Sequence, residues 1–346
     1  MLASKSKGIY LEWGEFSLLA AVTTGLDSPL TIESLQELSL DGDDDKVRGF
    51  LAGLVEVKGR AYVMGRCGIY PKSRFLRRFT MEQPNKAKDP AFFAEVLSSQ
   101  FRIDAEKNNV AVLNAIDGTA FDLDKGAQNQ KELLFAGALA EELNTAQERL
   151  LGWGLYPDRL ELGSLALVGA LQHYSRWKQL DSPTLVLEIS QDSANVVILR
   201  AEQVDICRPV PYGLKSMFPV IQAELGLKDE ESARKLFYSN TFDFTEMGPV
   251  LLRRLLKELQ ASTGFYEVQT GQTIGQIFLP QLPRNLAWIA TSLSRALGVE
   301  VLHIEYPGWL RALGLTAGSA VQLESLDSRW LGLFSLMGNF KTSDHG

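Results

Sequence analysis

The sequence predicts an α/β protein built from two related lobes. β-prone strands and amphipathic helices alternate along the whole chain. Its 346 residues suit two domains at about 150 residues each. A short segment also recurs half a chain later: Leu11-Glu12-Trp13-Gly14-Glu15-Phe16-Ser17 lies over Leu187-Glu188-Ile189-Ser190-Gln191-Asp192-Ser193. Each copy ends an apolar strand on Leu-Glu, turns tightly, places Ser six residues after Leu and enters a second apolar strand. A half-chain period suggests duplicated domains facing each other across a cleft.

The elements follow in order. Residues 8–14 and 17–23 are apolar and β-prone around a tight turn. The acidic stretch Asp41-Gly42-Asp43-Asp44-Asp45-Lys46 precedes a short helical pattern at 47–54 and a strand pattern at 60–66. Residues 80–89 are polar. Asp89-Pro90 then opens a helix, as N-cap and first-turn proline, with Phe92, Phe93, Val96 and Leu97 at helical spacing. A strand is expected at 110–116, a long amphipathic helix at 131–151, a short strand at 159–162 and a helix at 165–177. Ser182-Pro183 marks a boundary. Strands are expected at 184–190, 194–200 and 204–210, helices at 214–225, 229–238 and 247–269, and a buried strand at 276–279. A helix ending at Gly298, a strand at 299–304 and a helix at 309–315 close the pattern.

Composition removes whole classes of function. With 35 Lys and Arg against 42 Asp and Glu, the net charge is −7, which opposes broad binding to a phosphate backbone. Two cysteines, Cys67 and Cys207, fit neither a disulfide framework nor a zinc spacing and suggest a reducing compartment. His173, His303 and His345 are scattered, which argues against a histidine-rich metal site. Glu12 interrupts the early apolar run, so no secretory leader is expected. No apolar stretch approaches the roughly 20 residues of a membrane span. A cytoplasmic protein is expected. Neither a Gly-x-Ser-x-Gly elbow nor a Gly-Lys phosphate loop occurs. The aspartate run lacks the turn glycine and closing glutamate of a calcium loop and reads as a solvated loop. Glu141, Glu142, Glu148 and Arg149 read as surface ion pairs at helical spacing. His173 reads as structural, and the cysteines as small buried apolar residues. Arg74, Arg77 and Arg78 read as a solvated basic face, and the apolar 329–340 segment as docking on its own domain.

Taken together, these segments resemble the PilM family, the actin-like cytoplasmic proteins of type IV pilus assembly. FtsA and the cytoplasmic part of the type II secretion L protein are its relatives. Residues 185–213 (LVLEISQDSANVVILRAEQVDICRPVPYG) look like the family's second strand–turn–strand, with Arg208, Pro211 and Gly213 in its closing turn. Residues 132–171 resemble its helix–strand–helix segment, and 255–266, 277–298 and Ala312-Leu313-Gly314-Leu315 its closing region. The resemblance implies a duplicated, ribonuclease H-like actin fold. The first lobe would span 1–180 with an inserted subdomain at about 79–151. The second would span 181–320 with a helical piece at about 228–270, leaving 321–346 as a tail.

By the same resemblance, two strand–turn–strand loops would cradle the phosphates of ATP, with an Asp in each for Mg²⁺ or water. Here the family's Asp-x-Gly becomes Glu12-Trp13-Gly14 in the first loop and Glu188-Ile189-Ser190 in the second. Glu15 and Asp192 add negative charge that opposes a phosphate. The Ala-Glu-x-x-Lys helix becomes Ala233-Arg234-Lys235-Leu236-Phe237, and the adenosine glycine run becomes Pro280-Gln281-Leu282-Pro283, which restricts the backbone and removes amide donors. Glu12, Gly14, Glu188, Ser190 and Gly213 are thus remnants of a degenerate site, with no catalytic residue, metal or cofactor expected. The expected role is a scaffold holding the cytoplasmic tail of a PilN-like membrane protein, peripheral to the inner membrane through partners. Self-association, as in a filament or ring former, is a further expectation to weigh. The alternative is an ATP-binding protein or weak ATPase using Glu12 and Glu188.

Overall fold

A computed structural model describes residues 7–27, 29–54, 62–122, 131–201 and 203–338. His345, residues 339–340 and residues 60–61 lie outside them. The chain divides into one unit of Met1–Trp177 with Glu305–Gly346 and a second of Lys178–Ile304.

The first unit opens with β1 (Gly8–Trp13), β2 (Ser17–Thr23), β3 (Leu30–Ser39), α1 (Asp44–Leu54) and β4 (Val63–Ile69). Next come β5 (Phe75–Thr80), α2 (Pro90–Phe101), β6 (Asn108–Asn114) and β7 (Glu132–Leu139). Then follow α3 (Ala140–Gly152), β8 (Leu155–Leu162) and α4 (Gly163–Lys178). Strand alternation sends Ile9, Leu11 and Trp13 into a core with α1 and α3 residues Val47, Leu51 and Leu150. Tyr10 and Glu12 point to the opposite face. The aspartate run caps α1: Asp43 Oδ1 accepts the amides of Asp45 and Lys46.

The piece expected at about 79–151 has other bounds: its small layer starts at Phe75 in β5, and α3 packs through Leu150 into the core of the first sheet instead. Strands β5, β7 and β6 form a three-stranded antiparallel sheet around Phe75, Phe79, Phe93, Phe121 and Phe135. Helix α2 starts as expected, with Asp89 accepting the Ala91 amide at 2.9 Å and Pro90 in its first turn. The helix expected at 131–151 is instead strand β7 followed by α3. The run ELLFAGAL is almost wholly buried, and a short continuous apolar run carries no period to separate strand from helix. Gly137 permits the close approach there, since a side chain would collide with the Asn109 carbonyl and the Phe75 ring. Arg74, Arg77 and Arg78 are not a solvated face. Arg78 pairs with Glu132 at 2.8 Å, Arg74 Nε donates to Ser164 Oγ at 2.9 Å, and Arg77 donates to its neighbour's carbonyl. Arg149 pairs across to Asp44 at 2.8 Å rather than along its own helix.

The second unit contains β9 (Thr184–Ile189), β10 (Ala194–Leu199), β11 (Val204–Val210), α5 (Phe218–Leu225), α6 (Glu230–Tyr238), α7 (Gly248–Leu251), α8 (Arg253–Thr270), β12 (Gln276–Phe278), α9 (Trp288–Leu297) and β13 (Glu300–Val301). Its sheet order is β11-β10-β9-β12-β13.

The chain then returns to the first unit as α10 (Tyr306–Ala312), β14 (Leu315–Ala317) and α11 (Trp330–Ser335). Residues 305–320, expected in the second lobe, pack with the first, because β14 extends its sheet beside β3. The first sheet thus runs β14-β3-β2-β1-β4-β8. Residues Trp330 to Met337 are buried in the same unit. Arg329 anchors their start, pairing with Glu37 on β3 and with Asp327 at 2.8 Å.

The Trp309 indole on α10 donates to His173 Nδ1 on α4 at 3.0 Å. Burial, reinforced by the Arg176 charge, lowers the His173 pKa from its ordinary 6.5. Below that pH the unfolded chain binds a proton that the folded chain still refuses, so stability falls as pH drops through this range. His173→Gln should flatten that slope in urea denaturation compared at about pH 7.5 and about pH 5.5. Equal slopes in both proteins would refute the assignment.

Candidate functional site

The repeated segment is a repeated structure. In the first hairpin Glu12 pairs with Leu19, Leu11 with Ala20 and Trp13 with Leu18. In the second Glu188 pairs with Asn195, Leu187 with Val196 and Ile189 with Ala194. Every partner is displaced by the interval that separates Glu12 from Glu188. Both turns close on the same bond, Gly14 N to Ser17 O at 3.0 Å and Ser190 N to Ser193 O at 2.8 Å. Around each hairpin the sheets match: three antiparallel strands, then two parallel strands on the far side of the first.

The first half-site is closed by its own unit. Glu12 is 1% exposed. The Tyr70 hydroxyl donates to its Oε1 at 2.6 Å. From the other side α11 places Gly332 directly on the carboxylate, where any side chain would collide with both oxygens. Gly163 at the start of α4 is in turn packed against the Tyr70 ring. Glu12 is therefore an internal hydrogen-bond acceptor, with no face presented for a hydrated cation. Gly14 is buried, its amide spent on the turn. Trp13 packs against Trp153 with centroids 4.6 Å apart and ring planes tilted by 60°, under the Arg149 guanidinium.

The second half-site is tied down in a different way. Glu188 is 4% exposed on β9. Ser190 Oγ donates to the Ser193 carbonyl at 2.7 Å. The carbonyls of Ser190 and Gln191 accept the amides of Leu214 and Lys215 at 3.0 Å. Gly213 makes this possible, because a Cβ there would strike the Gln191 carbonyl. Lys215 also pairs with Asp192 at 2.8 Å, answering the charge that Asp192 brings. Ser190 and Gly213 are thus brought together, while Glu188 lies inside the strand.

The other two elements are equally altered. Arg234 and Lys235 on α6 face Glu231 at 2.7 and 3.7 Å. After β12, Gln281 takes a left-handed conformation (φ 69°) and Leu282 is buried. Among the described residues no group of His, Cys, Asp and Glu could hold a metal ion. Cys67 is buried, its thiol pushed up to about 12 by burial, and neither cysteine is in a disulfide.

A groove lies elsewhere in the first unit, beside β6 and β8, each the outer strand of its sheet. It has a volume of about 240 Å³ and is lined by Ile69, Asn109 on β6, Leu143, Asn144 and Gln147 on α3, and Leu160 to Leu162 on β8. Burial raises the Glu161 pKa, against the lowering charge of Arg159 2.5 Å away. The near half of the β8 edge is blunted by Pro157 and charged Asp158 and Arg159. The half that lines the groove carries one charge, Glu161, and no proline. No sequence pattern marks these residues; tertiary packing brings α3, β6 and β8 together.

Two sheets of one topology, each opened by the same hairpin, indicate a duplicated fold. A chain from the structure of the PilM-PilN type IV pilus biogenesis complex matches over 96% of this chain and 98% of that one, with a TM-score of 0.66 and 17% identity.

The fold is actin-like.

A Bacteroides thetaiotaomicron protein of actin-like ATPase fold and unknown function is more distant (TM-score 0.46, 9% identity, 97% of this chain and 98% of that one). So is the cytoplasmic domain of EpsL, an inner-membrane component of the type II secretion system of Vibrio cholerae (TM-score 0.43, 9% identity, 96% and 93%). No family model matches the chain, and no curated protein does. An actin-like fold does not by itself name an activity. No helix among the described residues is long and apolar enough to cross a membrane.

Proposed function

We propose that this actin-like chain is a non-catalytic scaffold that holds the cytoplasmic tail of a PilN-like protein in an inner-membrane assembly of the type IV pilus or type II secretion kind. The observation that carries this is the groove between β8, α3 and β6. It lies beside two strand edges and is lined by both leucines (Leu143, Leu160, Leu162) and amides (Asn109, Asn144, Gln147), which suits an extended peptide with apolar side chains in pockets and backbone hydrogen bonds along its length. The covered Glu12 carboxylate supports the absence of nucleotide chemistry, and the likeness to a PilM-PilN structure supports the choice of partner. The chain would then be cytoplasmic and held to the membrane by that partner.

The second reading, an ATP-binding protein or weak ATPase, is favoured by one feature: Glu12 and Glu188 occupy the same place in the two hairpins.

The test is a fluorescence-anisotropy titration of the full chain with the N-terminal cytoplasmic tail peptide of a PilN-like protein. Asn109 and Gln147 are exposed, so N109W and Q147W should fill the groove without unfolding the protein. Each should weaken binding at least about tenfold, the loss of roughly 1.4 kcal/mol. Binding unchanged in both variants would remove the groove from the proposal.

A further inference from the structure

We propose that the outward face of α8, in the second unit, rests directly on an anionic lipid surface. Leu255, Leu259, Ser262 and Tyr266 bury one side of this helix. The opposite side has two parts. Its first turns expose Arg253, Arg254 and Lys257, none of which enters an ion pair among the described residues. Cations in a first turn oppose the helix dipole, so local helix stability does not explain them. The second part carries a single charge. Between Gln260 and Thr273 the only charged residue is Glu267. Phe265 and Val268 are 57% and 88% exposed there, the two most exposed large apolar side chains of the described chain.

This is the chemistry of an interfacial contact. A tip with a protruding Phe and Val and one carboxylate, Glu267, meets the headgroup region, while adjacent cations meet anionic headgroups. The charge contrast is local, since the whole chain carries −7. A protein partner is less suited, because Val268 projects into solvent rather than lining a groove. The face uses none of the residues of the peptide groove, so vesicle binding and tail binding can succeed or fail separately.

The experiment is co-sedimentation of the full chain with vesicles of phosphatidylcholine mixed with phosphatidylglycerol, beside vesicles of phosphatidylcholine alone. The chain should pellet with the anionic vesicles, weakly with the neutral ones, and less as salt rises. V268D should abolish pelleting; at 88% exposure this substitution leaves the fold intact. R254Q/K257Q should weaken it about thirtyfold. A chain that stays in the supernatant with anionic vesicles overturns the proposal and leaves the face to a protein partner. Pelleting that both variants leave unchanged overturns it as well.

Discussion

Gly213→Ala should destabilise the second unit by about 3 kcal/mol or more, at the upper end for overpacking. The backbone torsions are not the cause, because φ is −127°, which alanine adopts freely. The new methyl would lie against the Gln191 carbonyl and the adjoining backbone, which has no rotamer to change. Relief requires the 213–215 segment to leave the second hairpin, giving up the bonds from Leu214 and Lys215. Urea denaturation followed by hydrogen exchange on β9 and β10 would show the loss. Gly264→Ala serves as the control. It meets nothing within 4 Å in a helix, and alanine there should add about 0.5–1 kcal/mol. Equal stability of the two variants would refute the packing described for Gly213.

Phe334→Ala should cost the first unit about 3–5 kcal/mol, the usual range for a fully buried aromatic. Phe334 is 0% exposed and lies 5.2 Å from the Tyr306 ring. The effect should extend beyond the lost ring. Helix α11 holds Gly332 on Glu12, so loosening it exposes a carboxylate now enclosed by Tyr70 and backbone. Amide exchange of α11 and β1 should rise together. A stability loss under about 1 kcal/mol would mean that the 330–337 segment is a surface appendage rather than core.

Much of this was legible in the sequence, and the limits have physical causes. The two hairpins are local, and their strand–turn–strand pattern repeats at a fixed interval, so the duplication could be read from Leu11 to Ser17 and Leu187 to Ser193. Helix α2 announced itself through Asp89 and Pro90. By contrast β7 is buried along its length and shows no period. Strand β3 went unread because its LTIESLQELS run turns half-exposed and polar along its length. The site followed the same division. The departures from the nucleotide pattern at Glu12, Glu188 and Pro280 to Pro283 are visible residue by residue. Their consequences are not. Gly332 reaches Glu12, and Lys215 reaches Asp192, only through tertiary contacts that no spacing encodes. The groove depends on two strand edges, and edges exist only once the sheet order is known.

The central proposal is that this actin-like fold binds no nucleotide. The most direct measurement is the melting temperature of the full chain titrated with Mg-ATP, beside a nucleotide-free control. A ligand at 100 times its dissociation constant stabilises a fold by about 2.7 kcal/mol, which a melting curve resolves. No shift at millimolar Mg-ATP is the predicted result, because Glu12 is covered by Tyr70 and Gly332 and the second loop is held by Leu214 and Lys215. A clear, saturable upward shift would contradict it and make Glu12 and Glu188 ligands of a working site.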